Sequence, residues 1–571
     1  MRSKVDNWLR ARFANVAWSL SLAGIVLMFA GALMPWTYDD DILGDLTVYL
    51  WPIGPQVYTI VLAVVGLLFL AAVRGPLADG LRPLLPGAES GVRTVGFFAL
   101  LVVALVLAAI AVQLGGLINV DPGGWVVFAG SLLVFLASRA LADPPAREPD
   151  WQLPDWAQIV LIAITMGLGL GFASYGVTRE DAWIFVDFLV FVTGLFVVLR
   201  NAGVIAYLGE VVTRFRRVTM LAAFAVAFLF PFAVPLLSGG TGDAYMSIAT
   251  LVLIFATTAI GLNMVVGLAG ILDLGYIAFL GSGAYVGAIL SQSAFATIDW
   301  HPPFIVVVLI GAVVAAGFGL VIGSPALRVS GDYLAIVTLA FGEIFRITMN
   351  NLDGSNGPDL TNGPNGIPGI PDLAIGGFDF GDSHNVLGIE IGRFGNYYLL
   401  LMVVTVAVIV AFMRLNDSRI GRGWVAIRED ERAAEAMGIN TFGLKLLAFS
   451  GGAFLAGLAG TIKAHYDVSV TPDQYQFLES AFVLSAVVLG GMGTVVGVLL
   501  GATIVKLLPE KLRFFSDYRL LLFGLLLIVM MRFRPEGIIA SKRRQLELHE
   551  EDEQLAVKLE GEVADTEVKP K

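Results

Sequence analysis

Residues Gly261–Leu290 read GLNMVVGLAGILDLGYIAFLGSGAYVGAIL, an apolar stretch carrying seven glycines and one acid, Asp273. A helix crossing the hydrocarbon core of a bilayer needs about 20 predominantly apolar residues, so the stretch has the length of a span. Non-helical backbone at that depth is tolerated only inside protein or beside a water-filled cavity. Glycine at this density therefore points to close helix contact or to a broken helix beside a pathway, and both fit a transport protein. The fold class that follows is all-α: a polytopic helical integral membrane protein with discontinuous, Gly-rich helices.

The composition agrees. Of 571 residues, 57% are hydrophobic and 15% charged, with a mean hydropathy of +0.80, whereas a soluble domain carries about 25% charged residues. The absence of cysteine excludes disulfides, thiolate metal sites and cysteine nucleophiles, and His301, His384, His465 and His549 form no ligand pair at helical spacing. Much of the net charge of −11 is local, because Glu547–Glu567 holds nine acids against the single Lys558. Nothing supports a nucleic-acid partner. Arg2, Lys4, Arg10 and Arg12 precede an apolar run at 16–34 that ends in Met34-Pro35-Trp36 without a small-x-small cleavage pattern, which reads as a retained anchor.

Apolar runs predict spans near 16–34, 56–73, 95–114, 125–142, 157–174, 183–199 and 218–238. Others follow near 244–264, 268–291, 303–324, 332–349, 396–414, 444–463, 478–490, 494–509 and 519–533. Breaking 478–509 at Gly490-Gly491-Met492-Gly493 gives about 16 crossings by the span-length rule. An even number keeps both termini on the side where short loops are rich in Lys and Arg, the cytoplasm. Arg74, Arg82 and Arg93 mark one such loop, Arg200, Arg214, Arg216 and Arg217 another, and Arg414, Arg419, Arg422, Arg428 and Arg432 a third. The 350–395 loop, rich in Gly, Pro, Asn and Asp, then lies outside, and its TNGPNGIPGI stretch (361–370) has the turn chemistry of a rigid lid. Three regions are expected: 1–240, a block of ordinary apolar helices without a buried polar cluster; 241–540, the transport core; and 541–571, an acidic, solvated tail. The Gly-interrupted segments 267–283 and 490–501 are candidates for equivalent parts of a diverged inverted repeat.

The third basic loop carries the most specific motif, GRGWVAIREDERAAEAMGI from Gly421 to Ile439. Asp430 is placed to cap a short helix, and Gly438 to end it in the left-handed conformation. Glu431, Ala434 and Glu435 share one face, while Ala433, Ala436 and Met437 offer a low apolar surface. Such a helix is suited to dock in a groove on another protein and transmit motion, although a solvated connecting helix has the same composition.

With Arg422-Gly423, Ala426-Ile427-Arg428-Glu429 and Ala434-x-x-Met437-Gly438-Ile439, this loop resembles the coupling region of ABC importer permeases, specifically the LivM-type permeases of branched-chain amino-acid transporters. Ala278-Phe279-x-Gly281-x-Gly283-Ala284-Tyr285, Gly331-Asp332-Tyr333, Thr338-Leu339-Ala340-Phe341-x-Glu343-Ile344, Val487-Val488-Leu489-Gly490-Gly491-Met492-Gly493-Thr494 and Pro535-Glu536-Gly537-Ile538 agree in order across about 245–540. The resemblance implies a translocation subunit of the bacterial inner membrane, working with a homologous second permease, two cytoplasmic ATP-binding subunits and a periplasmic substrate-binding protein that touches the 361–370 loop. It implies an ATPase-coupling loop at Arg428, Glu429, Asp430, Glu431, Ala434, Glu435, Met437 and Gly438, and no cofactor or catalytic residue. No GxxxxGK[ST] loop occurs, so ATP is expected to be handled by partners. Urea and short-amide permeases share much of this motif set.

Candidate pathway residues are Asn263, Asp273, Tyr276, Tyr285, Thr338 and Glu343. Acids inside a membrane normally face a bundle interior or a cavity. Glu343 and Arg346, one turn apart, can pair directly. Asp273 has no sequence-local partner and either lines the route or pairs across spans. Hydroxyl and amide groups at Asn263, Tyr276, Tyr285 and Thr338 suit a passing ammonium or carboxylate, and equally suit helix packing. An ion-coupled secondary transporter using Asp273 and Glu343 as cation sites is the competing class. An intramembrane enzyme finds no nucleophile–base pair in these segments.

Overall fold

A computed structural model describes residues 12–539 except 14, 40–42, 44–45, 47–53, 75–77, 79–84, 86, 142–150, 152, 180, 239–241, 330–331, 356, 387, 512–517 and 535. The tail at 541–571, the basic residues Arg2, Lys4 and Arg10, and Gly331 and Pro535 of the motifs lie outside the described residues. The chain divides into two compact units, 1–238 and 239–571.

Ten helices among the described residues are long and apolar enough to cross a membrane. In the first unit the helices are Ala17–Ala32, Pro55–Val73, Ala88–Gln113, Pro122–Ser138, Asp155–Thr178, Ala182–Asn201, Val204–Arg214 and Arg216–Ser238. Ala17–Ala32 lies against Pro122–Ser138 through glycines seven residues apart on each helix. A Cβ on Gly24 would stand 2.8 Å from the Gly130 carbonyl, and one on Gly31 would meet Val127 and Gly123. Small residues let two backbones approach where lipid supplies no hydrophobic drive.

The stretch after Arg200, marked by its arginines as a connection between spans, contains the helix Val204–Arg214, which buries Tyr207 and Val211. One expectation for this unit needs correction. The block holds a buried polar cluster. Asp187 is 1% exposed, neither of its carboxylate oxygens has a hydrogen-bond partner, and Tyr58 Oη donates to Tyr175 Oη at 2.7 Å. Tyr58, Tyr175 and Asp187 come from three helices, each apolar around its own sequence.

In the second unit Asp243–Leu262 continues as a π-helical turn, Asn263–Leu268. The Gly-rich run at 268–291 is broken, one of the two readings that its glycines allowed. Residues 269–276 are non-helical, and Ile277–Ile289 is a helix of 13 residues, about 20 Å at 1.5 Å per residue, short of the ~30 Å hydrocarbon core. Phe304–Ala326, Asp332–Asn351 and Arg393–Asn416 follow, then the paired short helices Arg419–Glu429 and Glu431–Ala436, and Thr441–Asp467. The 478–509 run is broken at its glycines into Phe477–Gly490 and Val495–Lys511 before Arg519–Phe533.

Glycine places the short helix. A Cβ at Gly283 would fall on the Gly457 backbone, one at Gly460 on the Leu280 carbonyl, and one at Gly457 against Ala315 and Gly311. Three helices therefore meet backbone to backbone, and Thr461 Oγ1 donates to the Gly283 carbonyl across the contact (3.0 Å).

The 350–395 segment forms short antiparallel pairs, and Ile367–Pro368 pairs with Ser469–Val470. Asn362 holds a left-handed conformation (φ 57°) and donates to the Gly366 carbonyl (2.8 Å). Asp372 accepts from Arg393 Nε (2.8 Å) and Tyr397 Oη (2.9 Å), while Arg393 Nη2 also reaches the His465 and Tyr466 carbonyls. The lid-like loop is thereby latched to the end of Thr441–Asp467.

Candidate functional site

The two helix breaks meet. Asn263 accepts from the Gly493 amide through Oδ1 (2.8 Å) and donates to the Thr494 carbonyl through Nδ2 (3.3 Å). A Cβ at Gly267 would stand 2.7 Å from Gly493 N, so the approach depends on glycine. The second break is held from the other side. Ile538 N donates to the Leu489 carbonyl (2.9 Å) and Ile539 N to the Gly490 carbonyl (3.0 Å), with Gly537 against Gly491. Gly491 and Gly493 take φ of 114° and 80°, a region that glycine enters without a Cβ penalty.

The 419–438 segment, the candidate coupling loop, reaches the same place. Ser418 caps Arg419–Glu429 by accepting from the Ile420 and Gly421 amides, and Trp424 anchors it by donating to the Leu444 carbonyl (2.7 Å). At its end, Arg428 Nη1 donates to the carbonyl of Gly267 in the π-turn (2.8 Å), and Nη2 pairs with Glu429 (2.9 Å). Gly270, at φ 71°, packs on the Arg428 side chain. One line of contacts thus runs from Arg428 through Gly267 and Asn263 to Gly493 and Thr494.

Beyond it, Asp430 accepts from the Ala433 amide (3.0 Å) and Gly438 ends Glu431–Ala436 at φ 82°. Ala434 is buried, whereas Glu429, Asp430, Glu431, Glu435 and Gly438 are exposed and Met437 is 83% exposed. The exposed face includes Ala433 and Ala436. Lys445 pairs with Glu431 (2.5 Å), fastening the short helix to Thr441–Asp467.

The remaining candidate pathway residues separate by their commitments. Tyr276 is fully buried and donates to the Gly452 carbonyl (2.6 Å). Thr338 accepts from the Leu274 amide and donates to the Ala335 carbonyl (both 3.0 Å). Asp273 lies in the first break, 0% exposed; Oδ1 accepts from the Gly275 amide (2.9 Å) and Oδ2 has no partner. Glu343 pairs with Arg346, whose Nη1 also reaches Asp473 (3.2 Å). Tyr285 is 2% exposed, and its hydroxyl makes no hydrogen bond.

The sequence reading missed four charged residues. Lys463 pairs with Asp467, and Lys506 pairs with Glu479 (3.0 Å) while lying 3.3 Å above the Phe255 ring. Both lysines are enclosed, with side chains 10% and 14% exposed. Each lies within or at the end of a predicted apolar run. That position was the available signal, because a lysine there reads as an interfacial anchor until its partner is known.

Residues 244–531 match the family described as branched-chain amino acid transport system / permease component. The high-affinity branched-chain amino acid transport system permease protein LivM of Escherichia coli is 38% identical over 347 residues, covering 58% of this chain and 77% of that protein. The high-affinity branched-chain amino acid transport system permease protein BraD of Pseudomonas aeruginosa is 28% identical over 298 residues, covering 50% and 91%. LivH of Escherichia coli is 26% identical over 290 residues, again covering 50% and 91%. No solved structure matches. With the family's match running through both helix breaks and the 419–438 segment joined to them, this chain belongs to the branched-chain amino-acid permease family of multi-pass membrane transport proteins.

Proposed function

We propose that the chain forms half of the translocation pathway of an ATP-driven importer for leucine, isoleucine and valine. In this reading, cytoplasmic ATP-binding subunits move it by gripping the 429–438 segment. The observation that carries the reading is the Arg428–Gly267 hydrogen bond, because it attaches a surface suited to a partner directly to a broken helix. The exposed Met437 with Ala433 and Ala436 is that surface, and methionine adapts well to a partner's groove. ATPase closure pulls the loop, and Arg428 passes the displacement to the π-turn and, through Asn263, to the second break. Similarity to both LivM and LivH proteins favours a homologous permease as the other half. A soluble binding protein would deliver substrate at the latched 361–370 loop. The Lys/Arg bias of the short loops supports a bacterial inner-membrane placement with both termini and the 415–443 loop in the cytoplasm.

The test is uptake of radiolabelled leucine into proteoliposomes holding this chain with the permease and ATP-binding proteins encoded beside it, supplied with the binding protein. Accumulation should require ATP and survive collapse of ion gradients, and Met437→Glu should release the ATP-binding proteins on purification without loss of the folded chain. Uptake that ignores ATP and follows an ion gradient, or uptake by the purified chain alone, would overturn the reading.

A further inference from the structure

Where the latched loop folds onto the second unit, two phenol hydroxyls are buried without a hydrogen bond. They belong to Tyr285 on Ile277–Ile289, 2% exposed, and Tyr475 at the end of the turn Pro472–Tyr475, 1% exposed. Their rings stand 6.1 Å apart between centroids, and Tyr285 also meets Phe345 at 6.2 Å. Gly281 makes the room, since a Cβ there would collide with both the Phe345 and Tyr475 rings. Lys463 Nζ lies 5.8 Å from the Tyr475 ring centroid and pairs with Asp467 one helical turn further on.

A buried tyrosine hydroxyl normally finds a partner, and leaving one unmet costs stability. Two such groups side by side, next to an enclosed ion pair, are a poor choice for holding a bundle together, because desolvation offsets much of the attraction in such a pair. They are a good choice for a ligand that brings its own charges. The α-carboxylate and α-ammonium of an amino acid are adjacent groups of opposite sign, and Lys463 and Asp467 present the complementary charges on one helical face.

Building on the permease reading, we infer that this cluster is an occluded subsite for a zwitterionic α-amino acid with an aliphatic side chain. The carboxylate takes Lys463 and the two hydroxyls, the ammonium takes Asp467, and the side chain lies on Phe345 and the tyrosine faces. No bond is made or broken. The site is closed in this structure, with the rings in contact, and its cover is the turn carrying Tyr475. That turn follows the strand Ser469–Val470, which is paired to Ile367–Pro368 of the loop, so a protein docking on the loop has a direct hold on the cover.

The experiment uses a diazirine-bearing leucine analogue, photolysed with the complete importer in proteoliposomes, and maps adducts by mass spectrometry. Adducts are expected in 277–290 and 463–476. Leucine, isoleucine and valine should suppress them, while leucinamide, lacking the carboxylate, and isocaproate, lacking the ammonium, should not. Tyr475→Phe, which keeps the ring, should raise the KM for leucine by about tenfold, the loss of one good hydrogen bond. Adducts confined to other segments, or suppression by leucinamide and isocaproate equal to that by leucine, would overturn the subsite while ATP-driven leucine uptake by the wild type left the permease reading standing. Failure of the wild type to take up leucine with ATP would overturn both.

Discussion

Replacing Arg428 with methionine keeps the aliphatic stem that packs on Gly270, and removes the donor to the Gly267 carbonyl. A hydrogen bond from a charged group contributes about 1.5–3 kcal/mol. The ion pair to Glu429, whose side chain is 52% exposed, adds about 0–1 kcal/mol. If the bond transmits loop displacement, its energy bounds the coupling that this contact carries between the two sites. At ~1.4 kcal/mol per factor of ten, Arg428→Met should lower leucine accumulated per ATP hydrolysed by about ten- to a hundredfold. Glu429→Gln, which removes only the exposed pair, should change it by less than about fivefold. Both quantities are read from the same proteoliposomes, so a loss of partner binding appears as lost hydrolysis and an uncoupled complex as retained hydrolysis without uptake. Uptake per ATP within about twofold of wild type in Arg428→Met, against the tenfold or greater loss expected, would refute the transmission argument.

Three further substitutions probe the architecture. Asn263→Leu strands the Gly493 amide and removes the bond to Thr494, so it should destabilise the second unit by about 2–4 kcal/mol; an unchanged melting temperature in detergent would contradict the clamp. Gly283→Leu pushes a side chain into the Gly457 backbone, where overpacking costs about 1–3 kcal/mol and occasionally more; the monodisperse fraction on size-exclusion chromatography should fall, and wild-type yield and elution would show that the helices are not in contact. Asp187→Leu exchanges an unpartnered buried carboxyl for an apolar group of similar shape. It should raise stability by about 1–3 kcal/mol, and a lowered melting temperature would mean that the carboxyl has a partner of its own.

Much of the bundle was legible because apolar length is a local signal. Apart from 268–291, the predicted runs became helices, the Gly490–Gly493 break fell where its glycines lie, and the Asp430 and Gly438 caps followed from residue type. The π-turn was not legible, since i to i+5 bonding has no side-chain signature. The break at 269–276 was legible as an alternative in the density of its glycines, but not its bounds, because Ala269, Ile271 and Leu272 are as apolar as helix residues. The site depended on distant partners. Asn263 finds Gly493 across 230 residues, and Lys506 finds Glu479 from the facing helix. Sequence supplied Arg428 as a motif member; only the fold shows that it points into the bundle toward Gly267 rather than out toward a partner.

The backbone bonds from Ile538 and Ile539 to Leu489 and Gly490 make the segment that follows Arg519–Phe533 a fastener for the break it rests on. Trimming the chain before residue 536 would remove more than an appendage: two inward carbonyls would lose their donors, and a bend built almost wholly of main chain would lose its outer support. A fluorophore fused just past residue 539 would, for the same reason, report on that bend, and its environment should shift during transport.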